Sequence, residues 1–272
     1  VSADAGAPAT GYAVASDGCR IRFRIDGPAG APGLLFSNSL GTTLAMWDDQ
    51  LPSLAERFRI VRYDVRGHGG SDVPAGPYTL DRLGADALAV LDAAGLERAS
   101  LCGLSLGGMT AQWLGAYARE RIERLVIANS AAQLGPAQGW DERIAAVTGH
   151  GMGAVTATVL ERWFTPEFRA SAPAAVARVR RMLEETDPAG YAGCCAAIRD
   201  MDLRDALGSI EAPALVIAGE RDPSTPPAVT LAIAAGIPGA RVARLDCAHL
   251  SNVECSAEFN AHLVSFLGAV PA

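Results

Sequence analysis

Residues 103–107 read Gly-Leu-Ser-Leu-Gly, with a glycine two places to either side of Ser105. A serine hydroxyl becomes a nucleophile when the chain presents it on a tight turn and a base removes its proton. The glycines answer the first need, because a strained strand-to-helix turn brings the backbone too close to itself to admit a side chain at those positions. Alone, a serine among glycines is most often only a turn, so the neighbours must decide. A catalytic reading demands a histidine base and an acid that orients it.

The chain offers four histidines. His68 falls in the tight turn Arg66-Gly67-His68-Gly69 and reads as a turn residue. His150 lies in a helical stretch and His262 beside apolar positions near the C-terminal end; both read as surface or packing residues. His249 follows the last strand-like run, on the edge where Ser105 sits, and is the candidate base. The acid should also follow a strand. Asp222 does so in Gly219-Glu220-Arg221-Asp222-Pro223, and sits farther into the loop than its rival Glu220.

Elements must bring Ser105, Asp222 and His249 together. Residues 12–26 read as an edge hairpin turning at Asp17-Gly18, with Arg20, Arg22 and Arg24 alternating against apolar partners. A short continuous apolar run follows at Leu34-Leu35-Phe36, and further strand-like stretches at 58–63, 100–102, 125–129, 214–219 and 241–245. Helical patterns at about 45–57, 80–94 and 106–118 separate the earlier runs, and strands alternating with helices imply crossovers and a parallel sheet. From 131 to 207 the cadence is helical only, broken at Pro136, Pro166, Pro173 and Pro188. The expected organisation is a core of residues 1–130 and 208–272, with 131–207 as a helical lid over the strand ends. Gly149-His150-Gly151-Met152-Gly153 follows no strand and reads as a flexible turn.

Composition narrows the chemistry. All 23 basic residues are arginine, which excludes Schiff-base, serine-lysine and phosphate-loop lysine mechanisms. A net charge of -7 without an aromatic-basic patch argues against nucleic acid. The six cysteines show neither metal-ligand spacing nor disulfide density. Residues 99–118 carry no charge, yet glycines, Ser105, Thr110 and Gln112 interrupt them, so the reading is a buried strand, turn and helix rather than a membrane span. Val1 to Thr10 lack the basic and apolar parts of a secretory signal, and the cytoplasm is the expected location. Neither a metal nor a cofactor is called for.

With these residues in place, the chain resembles the α/β hydrolases over nearly its whole length. The order Ser105, Asp222, His249 is theirs, and Asp64-x-Arg66-Gly67-His68-Gly69-x-Ser71 is a second hallmark. The resemblance implies a mostly parallel eight-stranded sheet flanked by helices, with the lid inserted after the sixth strand. Many members end the strand before the first helix in His-Gly; this chain has Asn38-Ser39. By position, Leu40 and Leu106 would supply the backbone NH groups of an oxyanion hole.

Within the family the chain is similar to the 3-oxoadipate enol-lactonases of bacterial aromatic catabolism. The carriers are residues 37–47, 66–71 and 103–109 and the lid segment 191–200, Tyr-Ala-Gly-Cys-Cys-Ala-Ala-Ile-Arg-Asp. Lid sequence tracks substrate, so that segment weighs most. The resemblance implies hydrolysis of 3-oxoadipate enol-lactone, in the β-ketoadipate pathway, through an acyl-enzyme on Ser105. The partner is then a small-molecule lactone bearing a carboxylate, which needs arginine, a neutral donor or a backbone NH in a chain without lysine. Trp140 and Arg143 share a helical face at the lid's start and are the expected contacts, with Trp163 a second wall. The alternatives are a carboxylesterase, a perhydrolase or a carbon-carbon bond hydrolase on the same fold, and a non-catalytic ligand-binding homologue.

Overall fold

The computed structural model of the protein describes residues 9–268. Most of the stretch Val1 to Thr10, read as no secretory signal, and the last residues of the expected core lie outside them. Eight strands form one sheet: β1 (Ala9–Val14), β2 (Arg20–Asp26), β3 (Gly33–Ser37), β4 (Arg59–Tyr63), β5 (Ala99–Leu104), β6 (Ile122–Ala128), β7 (Ala214–Gly219) and β8 (Arg241–Leu245). Their spatial order is β1-β2-β4-β3-β5-β6-β7-β8. β1 and β2 pair antiparallel and β2 joins β4 antiparallel, while every pairing from β4 to β8 is parallel. The predicted hairpin is indeed at the edge.

Burial follows sheet position. Every residue of β3, β5 and β7 is buried, as continuous apolar runs covered on both faces require. β8 closes the other edge, and its Arg241, Val242 and Arg244 are exposed. The helices of the core are α1 (Leu51–Leu54), α2 (Leu80–Ala93) and α3 (Leu106–Tyr117), then, after the insertion, α9 (Pro227–Gly236), α10 (Ser251–Glu254) and α11 (Ser256–Leu267). Between β6 and β7 lie α4 (Ala137–His150), α5 (Gly153–Trp163), α6 (Pro166–Ser171), α7 (Pro173–Glu184) and α8 (Pro188–Asp200). Pro166, Pro173 and Pro188 each occupy a first turn, where a missing NH costs nothing, and Pro136 caps α4. Of residues 149–153, expected as a turn, only Gly151 and Met152 lie between helices, with Gly151 at φ +73°; Gly149 and His150 end α4 and Gly153 begins α5.

One element differs from expectation. The stretch 45–57 forms a 3-10 helix over Leu44–Gln50 and then the short α1, rather than one α-helix. Three residues per turn puts Leu44, Trp47 and Gln50 on a single face, and all three are buried. Pro52 sits in the first turn of α1, a place proline tolerates but a helix interior does not. No described helix is long and apolar enough to cross a membrane.

Candidate active site

β5 runs directly into Ser105, and α3 begins at the next residue. Ser105 holds φ 58° and ψ -115°, a backbone that side chains other than hydrogen rarely adopt. Crowding explains the glycines. A Cβ on Gly103 would stand 2.0 Å from the Gly107 carbonyl oxygen, and one on Gly107 would stand 2.0 Å from that of Ser37. The Ser105 amide donates to the Ala128 carbonyl at 3.0 Å, and Ser130 Oγ donates to the Ser105 carbonyl at 2.8 Å. These bonds fix the turn to the end of β6.

The loops after β7 and β8 bring in the other two residues. His249 Nδ1 lies 2.7 Å from Asp222 Oδ2, with both side chains buried. Asp222 is otherwise saturated: Oδ2 accepts from Asn129 Nδ2 at 3.0 Å and Thr225 Oγ1 at 2.7 Å, and Oδ1 from the amides of Ser224 at 2.7 Å and Thr225 at 3.0 Å. Burial pushes its pKa up, but the His249 charge and the bonds from His249, Asn129 and Thr225 outweigh that and leave it below the usual value. An ionised Asp222 can only accept, so Nδ1 of His249 carries the proton and Nε2 is left as the basic atom. The rival Glu220 instead pairs with Arg244 at 2.8 Å.

Ser105 and His249 line a cavity of about 280 Å³. Among the described residues Ser105 Oγ has no hydrogen-bond partner, and the two side chains share the cavity wall without a bond of their own. Such contacts are commonly looser before substrate enters. Trp163 lies against the His249 ring, centroids 6.5 Å apart and 27° from parallel.

Leu40 lines the cavity, and Leu106 follows Ser105 directly. Leu106 is the first residue of α3, so its amide has no intrahelical acceptor. Around Leu40 the amides are taken: Ser39 N–H points at Met46 Sδ, Gly41 N–H donates to His68 Nε2 at 2.9 Å, and Thr42 N–H to the Ser39 carbonyl. That of Leu40 has no acceptor among the described residues. Asn38 is a strut here, its side chain bonding Tyr63 O at 2.7 Å and Trp47 Nε1 at 2.9 Å.

His68 is more than a turn residue. It is buried, and its Nδ1 lies 3.1 Å from the Arg66 carbonyl while Nε2 accepts from Gly41, so it staples the Leu40 loop to the turn after β4. That turn is itself anchored by Arg66 on Asp86 and Asp17. Burial lowers the His68 pKa. The folded state therefore holds this ring neutral, and its stabilising contribution is lost as pH falls below the unfolded value of about 6.5. Urea melts at pH 7.5 and 5.5 should show that loss. His68→Phe should remove most of it and cost about 1–3 kcal/mol at neutral pH, from the buried Gly41 N–H left without an acceptor.

The helices of the insertion form the rest of the wall, and Trp140, Arg143 and Trp163 all line the cavity. The Arg143 guanidinium stands 5.0 Å above the Trp140 ring, whose Nε1 donates to Leu134 O at 2.9 Å. No carboxylate among the described residues pairs with Arg143. Tyr191, part of the 191–200 segment but given no contact role there, and Arg162, which nothing in the sequence marks, also line the cavity. Burial raises the Tyr191 pKa, which keeps its hydroxyl neutral. All six cysteines are free thiols, and among the described residues no cluster of three or more His, Cys, Asp or Glu is arranged to hold a metal ion.

A doubly wound sheet with a serine at the β5–α3 turn and a buried Asp-His pair beyond β7 and β8 defines a class. The chain belongs to the α/β hydrolase family, whose fold matches residues 32–254. It is 41% identical to 3-oxoadipate enol-lactonase 2 of Acinetobacter baylyi over 240 residues, 88% of this chain and 90% of that one. Two solved structures superpose with a TM-score of 0.93. One is a hydrolase from Pseudomonas aeruginosa, at 52% identity over 96% of this chain and 98% of that one. The other is the enol-lactonase from Burkholderia xenovorans, at 41% identity over 95% and 100%. A putative carbamate hydrolase of Agrobacterium fabrum matches at 31% identity, over 91% of this chain and 98% of its own.

Proposed function

We propose that the protein hydrolyses 3-oxoadipate enol-lactone to 3-oxoadipate in aromatic catabolism, with Ser105, Asp222 and His249 as its triad. The observation that carries this reading is the composition of one cavity. Ser105 and the Asp222-braced His249 stand on its sheet side, and Arg143, without a carboxylate partner, stands on the helical side. Residues 131–207 act as the lid, and the partner is a small-molecule lactone. Free cysteines accord with a cytoplasmic location.

The chemistry runs in two halves. His249 Nε2 takes the Ser105 proton as Oγ attacks the lactone carbonyl, and the Leu40 and Leu106 amides receive the charge that develops on oxygen. The ring C–O bond breaks, and the departing enol oxygen takes the proton from His249 and tautomerises to a ketone. His249 next removes a proton from water, which attacks the acyl carbon, and returns that proton to Ser105 Oγ as the acyl C–O bond breaks. Asp222 keeps the imidazole in the required tautomer throughout.

The lactone carries an acetate side chain, and Arg143 supplies its counter-charge. A simple aryl ester or a carbamate would use the same serine and amides but leave that guanidinium idle. Arg143→Ala should raise the KM for the enol-lactone by roughly 10- to 100-fold, the loss of one charged hydrogen bond, and leave hydrolysis of a neutral aryl acetate within about twofold. Equal effects on both substrates would remove Arg143 from the carboxylate site.

A further inference from the structure

Both loops that carry Asp222 and His249 are fastened to one short stretch of the lid, residues 162–167. Arg162 Nη2 donates to the Pro223 carbonyl at 2.7 Å, next to Asp222. Arg221, on its other side, pairs with Glu167 at 2.7 Å. The Leu250 amide, next to His249, donates to the Trp163 carbonyl at 3.1 Å, and the Trp163 ring lies against the His249 imidazole. At the centre of this junction is Glu254, the last residue of α10. Its Oε2 accepts from the Ala248 amide at 3.0 Å, and its carboxylate accepts from the Thr165 amide at 3.2 Å and from the Thr165 hydroxyl.

We propose that Glu254 is a positioning residue that ties the placement of His249 to the seating of the lid, a role that rests on the triad reading above. Oε2 faces the residue before His249, and Oε1 faces the lid two residues after Trp163, taking the Thr165 hydroxyl and the shorter of the two contacts from the Thr165 amide, which lies 3.4 Å from Oε2. Only a group that accepts through both oxygens keeps all of these contacts at their short distances. Glutamine matches the shape but can accept on one side alone; its NH2 must then meet either the Ala248 N–H or the Thr165 N–H, donor against donor. Aspartate is too short to span both. The clamp acts where the demand is greatest, since His249 must reach Ser105 and the lactone leaving group across a cavity it shares with the lid. A misplacement of about 1 Å in such a group can cost on the order of 100-fold in rate.

The test follows the rate at which a fluorophosphonate labels Ser105, read by intact-protein mass spectrometry, in the parent protein, Glu254→Gln, Thr165→Val and the double variant. Labelling needs Ser105 and His249 but no lactone, so this test stands apart from the substrate assignment. Glu254→Gln should label to the same end-point as the parent, on the order of 10- to 100-fold more slowly. With the lactone, kcat should fall by a similar factor while KM stays put. Thr165→Val keeps the amide bonds and removes one arm of the clamp, so it should slow labelling less, and it serves alone should Glu254→Gln fail to fold. The double variant should be no slower than Glu254→Gln, because both changes act through one junction. An unchanged labelling rate, a lowered end-point at unchanged rate, or fully additive slowing in the double variant would each overturn the proposal.

Discussion

Ser105→Ala is expected to abolish turnover and leave the fold intact. The hydroxyl has no partner among the described residues, and the turn is held by main-chain groups, the Ser105 amide on Ala128 and the Ser105 carbonyl under Ser130. Alanine keeps the Cβ that the backbone at φ 58° already accommodates. The melting temperature should shift little, since the change removes no stabilising contact. Activity is another matter, because in the proposed mechanism the acyl-enzyme forms on the oxygen that this change removes. Loss of the nucleophile in comparable triads lowers kcat by about 10⁶-fold, with a residue of catalysis from binding and the oxyanion site. Steady-state assays beside thermal melts would check both halves; turnover above about 1% of the parent would contradict the assignment of Ser105.

Asp222→Asn should damage both rate and stability, for separate reasons. The asparagine oxygen can face either His249, Asn129 and the Thr225 hydroxyl or the Ser224 and Thr225 amides, not both. Turned to the amides, it leaves NH2 against Nδ1–H of His249, so the imidazole loses its enforced tautomer and kcat should fall by about 10⁴-fold. The carboxylate also gathers the Ser224 and Thr225 amides, and a buried donor left facing NH2 costs about 1–3 kcal/mol. The stability difference has a defined pH dependence. Asp222 in the folded protein lies below its usual pKa, so its contribution is present above the unfolded value of about 3.9 and disappears as pH falls through the folded one. The gap between parent and variant, measured by chemical denaturation, should therefore narrow below about pH 4. A gap that is constant with pH would mean that Asp222 is not the ionised partner of His249.

The same residues show what the sequence disclosed and what it withheld. Ser105, Asp222 and His249 were legible because each follows a strand-like run, and parallel strands deliver their ends to one edge. The insertion was legible as a helical interval punctuated by prolines. The braces were not, because they join positions far apart in the chain. Asn129, at the end of β6, bonds Asp222, Ala248 and Ser251, and nothing in its own neighbourhood of the sequence marks it. His68 reads as a turn residue until its ring is found beneath Gly41, 27 positions away. Glu254 meets Thr165 across 89 positions. Periodicity reports which face of an element is apolar, not which loops meet, and these contacts exist only once the sheet order is set. The failure at 45–57 is local instead: apolar spacing fits an α-helix and a 3-10 helix almost equally over two turns.

Turnover of 3-oxoadipate enol-lactone by the purified protein, measured beside a neutral aryl acetate of similar size, tests the proposed function most directly. Ring opening with kcat/KM at least about 100-fold above that for the acetate is the expected result, since the carboxylate contact and the enol leaving group both favour the lactone. Comparable or faster hydrolysis of the acetate, with the lactone untouched, would contradict it.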